Sequence, residues 1–72
     1  MTPYQRLDNA IVEQAAKDYR SALKALARDD ENECIQEEIR TLERFFRSRW
    51  YGILTDVDGE YLMERLRAEV GA

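Results

Sequence analysis

The 72 residues carry 15 acidic and 11 basic side chains, a formal charge of −4, one cysteine and no histidine. That leaves room for one domain over residues 1–72, excludes an intrachain disulfide and removes the usual ligands of a structural zinc site. A chain this short buries only about 60% of the surface its unfolded form exposes, so self-association is the expected source of added stability.

The chain opens on Thr2-Pro3-Tyr4-Gln5. Threonine as cap, proline at the first helical position and glutamine at the capping-box position start a helix there. Neither glycine nor proline interrupts the next stretch, and the helix is predicted over 3–28. Tyr4, Leu7, Ile11, Ala15, Tyr19, Ala22 and Leu26 form its stripe, with Val12 and Leu23 at the edge. The spacing, about 3.7 residues, favours ordinary globular packing over a left-handed coiled coil.

Arg28-Asp29-Asp30 reads as a turn, with Asp30 and Glu33 as the better capping box for a second helix over 31–54. So short a connection makes the two helices antiparallel neighbours. On the second, Ile35, Ile39, Leu42, Phe46 and Ile53 share a stripe flanked by Cys34 and Phe45 on one side and Trp50 and Leu54 on the other. That arc is wider than one helix contact needs. The helix runs unbroken to Leu54 or bends near Ser48 or Gly52. Cys34, at the edge of the stripe, reads as buried filler.

Thr55-Asp56-Val57-Asp58-Gly59 punctuates again, and Thr55 is the expected cap of a third, shorter helix over 56–70. Leu62, Leu66 and Val70 form its stripe, and Gly71 is its natural C-cap. The fold class is therefore all-α: an antiparallel helical hairpin with a shorter third helix across its aromatic end.

Function is less legible. Asp56 and Asp58 after Ile53-Leu54 resemble the first motif of haloacid-dehalogenase-like phosphatases, in which one carboxylate attacks phosphorus and its neighbour handles a proton. Only 13 residues follow Gly59, all helical in pattern, and the parallel sheet and later lysine and aspartate motifs have no room. A calcium loop fails as well, because Leu54 and Arg65 would fill its decisive first and twelfth positions. We therefore expect no enzyme, no catalytic residues, no cofactor or metal, and no small-molecule substrate.

Two surfaces remain. Phe45, Phe46, Trp50, Tyr51, Ile53 and Leu54 make a candidate interface with a second copy or another protein, since aromatic residues are enriched in such contacts. Arg40, Arg44 and Arg47 form a stripe that can meet backbone phosphates, the alternative function being a nucleic-acid-binding accessory or small regulator. The net negative charge and the neighbouring Glu33, Glu37 and Glu43 oppose that alternative. The acid-to-base order along the second helix is also what its dipole favours by itself.

Two charges break the apolar pattern: Asp8 between Leu7 and Ile11, and Arg49 between Phe46 and Ile53. A hairpin turning at Asp29-Asp30 sets Asp8 opposite Tyr51 and within a turn of Arg49. A structural ion pair between Asp8 and Arg49 is the expectation, because charges on such faces are costly unless paired.

No apolar run approaches a membrane span and no signal-peptide pattern opens the chain, so no membrane association and a cytoplasmic location are expected. The run Glu43–Leu62, ERFFRSRWYGILTDVDGEYL, resembles short uncharacterised proteins encoded in prophages and conjugative elements of low-GC Gram-positive bacteria. The resemblance spans roughly the C-terminal half. It implies a cytoplasmic accessory protein of a mobile element and carries over no catalytic residue.

Overall fold

The computed structural model describes the backbone of residues 3–71 and the side chains of residues 10–71. Among the described residues the chain is all helical: α1 (Pro3–Arg28), α2 (Glu33–Phe46), α3 (Arg49–Leu54) and α4 (Gly59–Gly71). At about 1.5 Å per residue the 26 residues of α1 match the 41 Å long axis of the molecule, so α1 is the spine. The other three helices all pack against it.

The chain turns back after α1 through Asp29–Asn32, and α2 lies along the spine. Asn32, rather than Asp30, caps α2: its Oδ1 accepts from the Ile35 amide at 3.2 Å, while its own amide group donates to Asp29 Oδ2. The backbone carbonyl of Asp30 is taken up by Gln36 Nε2 at 2.7 Å. The connection is therefore longer than a two-residue turn, and the register moves with it. A turn centred on Asp29-Asp30 puts Tyr19 opposite Arg40, whereas Tyr19 meets Glu43 and Phe46, about one helical turn further along α2.

The expected helix over 31–54 is two helices. Arg47 closes α2, its amide donating to Glu43 O at 3.1 Å, and Ser48 turns extended to cap α3. The Ser48 hydroxyl is used twice: it donates to Phe45 O at 2.6 Å and accepts from the Tyr51 amide at 3.1 Å. A serine that satisfies both helix ends competes well with continuation of the helix.

A third expectation is corrected at α4. Its N-terminus is capped by Asp58, whose Oδ1 accepts from the Glu60 amide at 2.8 Å, and not by Thr55. Thr55 instead closes α3, and its hydroxyl holds the Val57 amide. Gly71 remains within α4 and takes no left-handed conformation.

The core is Tyr19, Ala22, Ile39, Phe46, Tyr51, Met63 and Leu66, contributed by all four helices, with Tyr19 and Met63 fully buried. Three aromatic rings tie its upper half: Tyr19 stands edge-on to Phe46 at 5.5 Å, and Phe46 edge-on to Tyr51 at 5.6 Å. Such geometry sets the positive ring edge on a negative face. Gly59 brings α4 against the end of α2 so closely that a Cβ there would stand 2.0 Å from the Phe46 carbonyl oxygen.

Candidate interaction surface

Helix α3 has only six residues, and the cap at Ser48 sets which way each one points. Tyr51 and Leu54, three apart, turn inward and are buried. Trp50 and Ile53, also three apart, turn outward, 56% and 67% exposed. Val57 in the following turn and Tyr61 on the first turn of α4 are exposed as well.

The six residues expected to form one interface are thus divided. Phe46, Tyr51 and Leu54 are buried, Phe46 on the inward stripe of α2, and Tyr51 and Leu54 because the break at Ser48 gives α3 an inward side of its own. Phe45 is half-buried: its ring packs on Tyr51 at 5.7 Å, and it lines a shallow groove of about 460 Å³ between α1 and α2. Trp50 and Ile53 remain at the surface. No single element presents all six together.

Arg40, Arg44 and Arg47 do lie along one face of α2, around a depression that also holds Glu43 and Ser48. Carboxylates already occupy two of them. Arg40 pairs with Glu37 at 3.0 Å, and Arg47 binds Glu60 through Nε with Glu43 at 3.9 Å. Arg44 is exposed and makes no ion pair among the described residues. The side chain of Asp8 lies outside the described residues, and with it the expected pair with Arg49. Arg49 itself is exposed at the first position of α3.

A polar cluster that the sequence reading did not anticipate joins three helices. The Tyr19 hydroxyl donates to Glu43 Oε2 at 2.7 Å and accepts from Arg67 Nε at 3.0 Å. Arg67 Nη2 closes the triangle on Glu43 Oε2 at 3.3 Å. Burial pushes the Tyr19 phenol above its ordinary pKa, and the Glu43 carboxylate adds to this, while Arg67 opposes it. A second contact, Arg20 with Glu69 at 2.9 Å, also fastens α4 to α1. Each polar group of the cluster is engaged by another from a neighbouring helix, which ties α1, α2 and α4 together.

Asp56 is exposed in the turn and Asp58 is committed to the α4 cap, so the pair stands on a helix start and not on a strand end. Among the described residues no group of three or more potential ligands is placed to hold a metal ion, and no helix is long and apolar enough to cross a membrane. Cys34, expected as buried filler, is exposed on the first turn of α2. Comparison with protein-family models, with curated proteins and with solved structures finds no match.

Proposed function

We propose that this chain is a non-enzymatic accessory protein of the cytoplasm that works by self-association, with the outward side of α3 as its contact surface. The observation that carries the reading is Trp50 and Ile53, two large apolar side chains exposed side by side on a helix whose other side is core. Tryptophan is among the residues most enriched at the energetic centres of protein interfaces. A domain of this size also gains disproportionately from burying further apolar surface against a partner.

Sedimentation equilibrium of the purified chain tests this. A dimer is expected at concentrations up to about 100 μM, the range of weak but specific association. Trp50→Glu and Ile53→Glu should each shift the equilibrium to monomer while leaving the helical circular dichroism unchanged, since neither side chain is in the core. A wild-type chain that stays monomeric throughout that range overturns the proposal.

A further inference from the structure

We infer that the contact is reciprocal: Trp50 and Ile53 of one copy seat in the α1–α2 groove of a second copy, whose own Trp50 and Ile53 seat in the first. This rests on the self-association proposed above and adds to it the identity of the receiving surface.

The groove is chemically matched to such an occupant. Ile11 and Ala15 of α1 and Leu42 and Phe45 of α2 give it an apolar lining, and its volume of about 460 Å³ opens directly to solvent. Its position is matched too. Phe45 lines the groove and packs edge-on against Tyr51, the residue that follows Trp50, so knob and groove are neighbours on one molecule. Two neighbouring, complementary features can be satisfied together across a two-fold axis. A contact of that kind closes at a dimer, whereas one-way insertion leaves a free knob and a free groove that propagate.

Charge favours a second copy over an unrelated partner. Asp18 stands at the groove, accepting from Gln14 Nε2 at 2.9 Å and making no ion pair among the described residues. Arg49 is exposed immediately before Trp50, so seating the knob brings a guanidinium to the carboxylate at the rim. Complementary rim charges fix register and orientation, while the net charge of −4 opposes unspecific association of like copies.

The test is sedimentation equilibrium of the full chain carrying Trp50→Glu, Ile11→Glu, Asp18→Arg, Arg49→Glu, or the last two together, each checked for helix content. Trp50→Glu and Ile11→Glu should each weaken the dimer at least about ten-fold, since both place a charge in a desolvated contact. Each single charge reversal should weaken it, and the double reversal should restore it to within a few-fold of wild type. If Ile11→Glu lowers helix content, the charge-swap arm decides alone. Loss of the dimer in Trp50→Glu, with no change in Ile11→Glu or Asp18→Arg, overturns the groove as receiving surface and leaves self-association through α3 standing. A monomeric wild type removes both.

Discussion

Gly59 and Gly52 offer the same substitution with opposite expected signs. At Gly59 a Cβ would lie 2.0 Å from the Phe46 carbonyl oxygen, 3.0 Å from its carbon and 3.4 Å from a Tyr51 ring carbon. The first two atoms are backbone at the end of α2, so relief requires α4 to move off the hairpin by about 1 Å. Forcing an added methyl into a packed contact costs about 1–3 kcal/mol. Against this stands the entropic gain of replacing glycine at a helix start, at most about 1 kcal/mol. The clash wins, and Gly59→Ala should destabilise by about 1–2 kcal/mol. For a domain this small that lowers Tm by roughly 5–15 °C. At Gly52, within α3, an added Cβ meets nothing within 4 Å. Only the propensity gain remains there, and Gly52→Ala should stabilise by about 0.5–1 kcal/mol. Urea unfolding followed by circular dichroism measures both. Equal and stabilising effects at the two positions would show that α4 does not approach α2 as closely as described, and the account of the packing would fail.

Other outcomes follow from the polar cluster and the surface. Tyr19→Phe removes a donor to Glu43 and an acceptor for Arg67, and should cost about 1–2 kcal/mol in chemical denaturation. Tyr51→Phe should be neutral or slightly stabilising in the same assay, because the buried Tyr51 hydroxyl has no hydrogen-bond partner among the described residues. Both phenols have pKa values raised in the folded state, Tyr19 by burial and Glu43, Tyr51 by burial and Asp58. The stability this represents is complete below the unfolded tyrosine value of 10.0 and is lost as pH rises through the folded values. Urea midpoints should therefore fall above about pH 10, less steeply in Tyr51→Phe than in wild type. Cys34 should react with a thiol reagent in the native protein as fast as in urea; strong native protection would contradict its exposed position.

Much of the architecture was readable from local chemistry. Helix α1 spans the predicted 3–28 and its stripe supplied Tyr19 and Ala22 to the core, while the Thr2 cap and its Gln5 partner lie outside the described residues. The break at Ser48 was harder to place. Phe46 and Ile53 are seven apart and would share a face of an unbroken helix, so periodicity gives no sign of the interruption that leaves Phe46 buried and Ile53 exposed. What settles it is the double use of one hydroxyl, a matter of backbone geometry. The caps at Asn32 and Asp58 were missed for a related reason: each had a rival side chain within three residues, and only the local φ and ψ separate them. The Tyr19–Glu43–Arg67 cluster had no local signal at all, since its members lie 24 and 48 residues from Tyr19. Tyr19 was legible as a core residue but not as the hub of a polar contact.

Helix α3 has a thermodynamic consequence for how the chain is handled. Six residues are far too few to hold a helix in water, where isolated helices shorter than about 12 residues are marginal. Its shape is borrowed from Tyr51, Leu54 and the Ser48 cap, so the outward pair exists as a surface only while the rest of the molecule is folded. A ligand for such a surface binds the folded chain and ignores the unfolded one, and its binding energy is added to the folding equilibrium. If a second copy is that ligand, as proposed above, the melting temperature should rise with protein concentration, and a dilute sample should be less stable than a concentrated one.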